Sequence, residues 1–269
     1  MIQPQGISKE VAARIRRPIP RGCGVVPGSL PVAAFGDPSD ARVATVSLNP
    51  SWHEFLDPSG SFLLGARRRL ASLQSLNVAD PSNLTDSQVA QVVAESNSYF
   101  LTPNWYRRWF HWLEQLLSQS DAGSYLDGTA CHLDLVQWAT KPVQSRLPRD
   151  AWEILVRGDR DFLVWQLETS PVRLVLLNGA SVVREVVRAG VVPYLGEEVL
   201  RCGERKLSEL RVFQADAGRV RFVGWNRPLA GPLPASCRQR LASWVAGALT
   251  PTSEPTQVRP ARIRHPGPP

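Results

Sequence analysis

The stretch VATVSLNPSWHEF, residues 43–55, decides how the rest of the chain is read. Its first five residues are small or β-branched and suit a strand buried on both faces. Leu48-Asn49-Pro50-Ser51 then halts it, because proline has no N–H to donate and its ring fixes φ. A core strand ending on an amide and a rigid turn is a place to look for chemistry. In open α/β sheets, ligands bind beyond the carboxyl ends of the strands.

Three further apolar runs read as strands of the same kind: HLDLVQW (132–138), VRLVLLN (172–178) and RVRFVGW (219–225). Between the runs lie segments with helical spacing: GARRRLASLQSL (65–76), TDSQVAQVVAESNSYF (85–100), NWYRRWFHWLEQLLS (104–118), RDAWEILVRGDRDFLVWQLE (149–168) and GASVVREVVRAG (179–190). Strands alternating with helices predict a three-layer α/β/α sandwich around a short, mainly four-stranded parallel sheet. Residues 31–249 form this domain. Residues 1–30 and 250–269 are proline-rich and basic, and read as mobile tails.

With 269 residues and 43% hydrophobic content, the chain can bury one large core. No apolar run approaches the roughly 20 residues of a membrane span, and the first residues lack the apolar centre of a signal peptide, so a cytoplasmic protein is expected. The net charge is +7, and 31 basic residues include only the lysines Lys9, Lys141 and Lys206. Arginine-rich basicity fits a phosphate-bearing partner, although a generally arginine-rich proteome gives the same composition. Cys23, Cys131, Cys202 and Cys237 contain no C-x-x-C pair, so buried free thiols are expected rather than a metal site.

The four strand ends are polar: Asn49-Pro50-Ser51, Asp134 leading to WATKP, Asn178-Gly179, and GWNRPLAGP (224–232). Each alone reads equally as a turn or helix cap. Taken in order over residues 41–232, they resemble the uracil-DNA glycosylase superfamily. SLNPS (47–51) is similar to its first motif in the mismatch-specific and single-strand-selective branches. LDLVQWATKPVQSRLP (133–148) resembles a segment of the iron-sulfur branch running from a base-reading Asn to an Arg-x-Pro, and GWNRPLAGP stands where the second catalytic motif belongs. The iron-sulfur branch needs four placed cysteines, yet Trp138 holds one ligand position and the N-terminal pair is missing, so no cofactor is expected.

The resemblance implies a DNA glycosylase that flips a nucleotide out of the stack and hydrolyses its N-glycosidic bond, acting as a monomer on DNA with no membrane association. In that role Asn49 positions the attacking water through its amide oxygen, and His53 or Glu54 takes the water's proton. Phe62 stacks on the base or else packs in the core. Asn226 stabilises the departing base, although a register shift puts Trp225 in that place, with Leu229 as the wedge that fills the gap left in the DNA. Arg146 and Arg227 hold phosphates.

Two substitutions bear on the substrate. Asp134 stands where uracil-selective members use Asn, and a carboxylate suits the N4 amine of cytosine better than the O4 of uracil. Ser51 stands where strict uracil enzymes place a tyrosine against C5. Together they imply a 5-modified cytosine, hydroxymethylated or glucosylated as in some phage DNA, and a role in antiviral defence. Uracil excision in DNA repair and a non-catalytic module sensing a flipped base remain the alternatives. An unrelated hydrolase built on His132 and Asp134 lacks a recognisable nucleophile elbow.

Overall fold

The computed structural model describes residues 7–203 and 209–249. Six strands form one mixed sheet: β1 (Val43–Ser47), β2 (Ala130–Asp134), β3 (Leu174–Asn178), β4 (Gly196–Arg201), β5 (Glu209–Ala217) and β6 (Val220–Trp225), in the order β2-β1-β3-β6-β5-β4. The four expected strands are present, and they pair in parallel. The sheet is not four-stranded, because an antiparallel hairpin, β4 and β5, extends it beyond β6.

The described residues also form six α-helices: α1 (Lys9–Ile15), α2 (Asp86–Asn97), α3 (Arg107–Gln119), α4 (Arg149–Thr169), α5 (Ala180–Arg188) and α6 (Ala235–Leu249). Period-two alternation assigns them to faces. Val43, Leu174, Leu176 and Val223 share one core with Phe110, Leu113 and Leu117 of α3 and Leu241 and Val245 of α6. Ala44, Val46, Val175, Leu177 and Phe222 share the other with Trp152, Leu155 and Leu163 of α4 and Val183 and Val186 of α5. The sheet is thus covered by helices on both sides.

Several elements depart from expectation. The second strand begins two residues early, at Ala130, and ends at Asp134; beyond it the Gln137 N–H turns to the Asp159 carboxylate and the Gln137 amide donates back to the Asp134 carbonyl. Residues 65–76 contain only a 3₁₀ turn, Gly65–Arg67, because Ser72 and Ser75 exchange side-chain and backbone hydrogen bonds that compete with a helix. Residues 85–97 do behave as read, with Thr85 and Gln88 closing a capping box on α2.

The segment read as a mobile N-terminal tail is packed from residue 7 onward. It contributes α1 and buries Ile15, Cys23, Val26 and Leu30. Arg14 and Arg17 bridge to Asp159 of α4, at 2.7 and 2.5 Å. Residues 250–269 lie outside the described residues. Among the described residues, no helix is long and apolar enough to cross a membrane.

Candidate active site

The parallel strand ends open into a cavity of about 570 Å³, within the roughly 300–1,000 Å³ usual for small-molecule sites. It is lined from β1 by residues 47–54, from β2 by His132 and Asp134, from β3 and α5 by residues 178–182, and from the end of β6 by Asn226 and Pro228. Asn49, Ser51, His53, Asp134 and Asn226, which lie far apart in sequence, therefore share one cavity.

The Asn-Pro step does more than end a strand. The Asn49 amide nitrogen donates to the carbonyls of Pro50 and Trp138, at 3.2 and 3.1 Å, and lies 3.0 Å from Thr140 Oγ1. Carbonyls only accept, so nitrogen must face them, and this fixes the amide's orientation without appeal to hydrogen positions. The amide oxygen is left for the cavity. The same bonds tie the segment after β1 to the segment after β2.

Two residues later, the Ser51 hydroxyl caps a 3₁₀ turn by accepting from the His53 N–H. The turn buries Glu54, which is 2% exposed and accepts a 2.6 Å bond from the Tyr99 hydroxyl. Burial raises the Glu54 carboxyl to about 7, opposed by the Tyr99 bond and by Arg69. His53 is half-buried and stacked on Trp52 at 3.6 Å. Partial burial and the nearby Arg69, Arg108 and Lys141 lower its pKa. Glu54 is thus a group at this turn held near neutrality.

Asp134 closes the floor. It is 2% exposed, and neither carboxylate oxygen has a hydrogen-bond partner; His132 Nε2 lies 3.5 Å from Oδ1. Burial pushes this carboxyl above its usual range, with His132 pulling the other way. Its register partner, Ser47, also carries a buried hydroxyl without a partner. Unsatisfied buried polar groups are costly in a finished core, and a cluster of them facing a cavity marks a place where a ligand supplies the missing bonds.

Opposite, Asn226 accepts the Arg211 N–H through Oδ1, at 3.1 Å, so its NH₂ is the part left for the cavity. Asn178 Oδ1 accepts from the Trp225 indole and the Leu229 N–H, at 3.1 and 3.0 Å, and so locks the ends of β3 and β6 together. Gly179 stands at φ 105, a backbone state few side chains adopt, and lets α5 start at the cavity with Pro228 close by. The positive end of α5 adds to the exposed cations Lys141, Arg107, Arg108 and Arg146 on neighbouring segments.

Three expected roles do not survive this geometry. Leu229 is 2% exposed in the core, so it is no wedge, and Trp225 is fully buried and bonded to Asn178, so the shifted register puts no functional side chain there. Phe62 does not line the cavity; it bridges to Leu56 and packs against the core. The aromatic surfaces at the cavity are instead Phe35, Trp52, Tyr106, Trp109 and Phe110. Tyr106, Trp109 and Phe110 were legible only as the aromatic run NWYRRWFHW at the start of α3. Arg146 is exposed on a 3₁₀ turn directly after the lining residues Val143, Gln144 and Ser145, whereas Arg227 only follows Asn226 along the chain.

Among the described residues, no group of three or more His, Cys, Asp or Glu side chains is placed to hold a metal ion. Cys23, Cys131 and Cys237 are buried free thiols and Cys202 is partly buried. No protein-family model matches the sequence, and neither does any curated protein.

Proposed function

We propose that this chain is a DNA glycosylase that takes a flipped base into the cavity and hydrolyses its N-glycosidic bond, with a 5-modified cytosine as substrate. The observation that carries the reading is the convergence of Asn49, Glu54, Asp134 and Asn226, from three strand ends, on one cavity lined with aromatic rings. The motif resemblance to the uracil-DNA glycosylase superfamily supports the same reading.

In this mechanism the Asn49 amide oxygen orients a water toward C1′ of the deoxyribose. As the glycosidic bond breaks, its electron pair leaves with the base and the water oxygen bonds to C1′. One water proton passes to Glu54, which returns it to the base. The Asn226 NH₂ donates to the base O2 while negative charge is there, the kind of preorganised contact that lowers a barrier most. Asp134 accepts from the N4 amine, Ser51 leaves space at C5, and the surrounding arginines hold the backbone. Excision of hydroxymethylated or glucosylated cytosine from phage DNA, in antiviral defence, is the biological role this substrate fits.

The test uses oligonucleotides carrying uracil, cytosine, 5-hydroxymethylcytosine or its glucosylated form, treated with the protein and then with alkali. The reading predicts alkali-dependent cleavage at the modified cytosine. Cleavage at uracil alone moves the substrate to repair. Binding without cleavage of any strand leaves a base-sensing module.

A further inference from the structure

We propose that His132 is a second base-reading residue: a hydrogen-bond donor fixed beside the acceptor Asp134, with its tautomer set by the buried hydroxyls of Thr45 and Tyr125. The inference rests on the glycosylase reading for its ligand, a cytosine-type base, and on the geometry alone for the tautomer.

His132 sits on β2, 1% exposed, against the rings of Phe35 and Phe110, whose centroids lie 5.6 and 4.9 Å away. Its Nδ1 is 2.6 Å from Thr45 Oγ1, which in turn is 2.5 Å from the Tyr125 hydroxyl. All three groups are buried. The Tyr125 hydroxyl has no other hydrogen-bond partner among the described residues, and burial keeps its phenol protonated by pushing it far above its usual range. A buried hydroxyl must donate somewhere, so Tyr125 donates to Thr45. Thr45 has one proton, and Nδ1 is the acceptor left for it. A ring that accepts at Nδ1 carries its proton on Nε2.

That nitrogen is the one 3.5 Å from Asp134 Oδ1, and both residues line the cavity. A donor and an acceptor thus stand side by side. Cytosine presents the complementary pair on adjacent atoms, an N4 amine that donates and an N3 that accepts, whereas uracil presents O4 as acceptor and N3–H as donor. With N4 on Asp134 and N3 on His132 Nε2–H, cytosine makes both bonds. Uracil in the same pose faces acceptor with acceptor and donor with donor. Tyr125 and Thr45 touch no substrate and act as positioning residues.

The full chain labelled with ¹⁵N-histidine gives the tautomer directly by NMR, and base release from 5-hydroxymethylcytosine and uracil oligonucleotides gives the discrimination. The proposal expects an Nε2–H signal for His132 in the parent. Thr45→Val and, independently, Tyr125→Phe are expected to mix the tautomers and lower the preference for the cytosine-type base by roughly tenfold to a hundredfold, the worth of one bidentate contact. His132→Gln, which keeps a donor, should retain part of it. An Nδ1–H signal in the parent overturns the lock. An altered tautomer with unchanged discrimination overturns the role in base reading. If the parent releases no base at all, the glycosylase reading fails on its own. Free cytosine and uracil then serve as probes: a shift of the Nε2–H signal with cytosine alone upholds the base-reading pair, and no shift with either overturns it.

Discussion

In the proposed mechanism Glu54 and Asn49 divide the handling of one water molecule, and their environments make that division testable. Glu54 acts as a base only when ionised. Its carboxyl is held at about 7, so base release should climb with pH up to about 7 and then level off. Glu54→Gln should remove that dependence and lower the rate by roughly two to four powers of ten in a single-turnover pH profile. The same shift acts on stability. Between its ordinary 4.5 and about 7, Glu54 keeps a proton in the folded chain that the unfolded chain has released. Its ionisation therefore costs nothing below about 4.5 and destabilises the fold progressively as pH rises to about 7, by on the order of 3 kcal/mol. Urea denaturation should find Glu54→Gln more stable than the parent at pH 8, with the gap closing at pH 4.5; a gap that widens toward acid contradicts the assignment. Asn49→Ala should slow base release by about two to three powers of ten with little change in DNA affinity, because phosphates dominate binding. Of these side chains, Asn49 was legible because a proline after an asparagine is a local, chemical signal. The burial of Leu229 was not, because it depends on how distant segments close over it.

At the level of elements, the cavity floor is held from behind by α1. Arg14 and Arg17 both bond Asp159 and the Gly158 carbonyl on α4, and Asp159 also accepts the Gln137 N–H just beyond Asp134. The Arg17 guanidinium occupies the space a Cβ on Gly158 would fill. Gly158→Ala should therefore destabilise the protein, although alanine is the better helix former by about 1 kcal/mol. Asp159→Ala takes the carboxylate from the Arg14 guanidinium and from the buried Gln137 N–H, and should cost roughly 3–5 kcal/mol in denaturant unfolding, the usual penalty for breaking a buried pair. Neither contact was legible, since α1 is only seven residues long and lies in a proline-rich, basic stretch. The four parallel strands were legible because burial on both faces leaves mainly apolar runs, interrupted by residues such as His132 and Asp134 in β2 and Arg221 in β6. β5 escapes that criterion: Leu210 and Val212 point inward while Glu209 and Arg211 face solvent, an alternation that marks a strand with one wet face.

Over the whole molecule, the charge of +7 and the exposed cations Lys141, Arg107, Arg108 and Arg146 near the cavity would, under the proposed function, set how DNA is approached. Affinity should fall steeply with salt, and Arg146→Ala should weaken binding alike for every base and flatten the salt dependence by about one phosphate contact. A salt slope unchanged in that variant removes Arg146 from the interface. Whether the cavity breaks a glycosidic bond is decided by mass spectrometry of a single-turnover reaction on a 5-hydroxymethylcytosine oligonucleotide. The proposed mechanism yields free 5-hydroxymethylcytosine and an equal amount of abasic strand with the parent, both about two to three powers of ten more slowly with Asn49→Ala. An intact oligonucleotide after prolonged incubation with the parent, or a base released equally by Asn49→Ala, contradicts it.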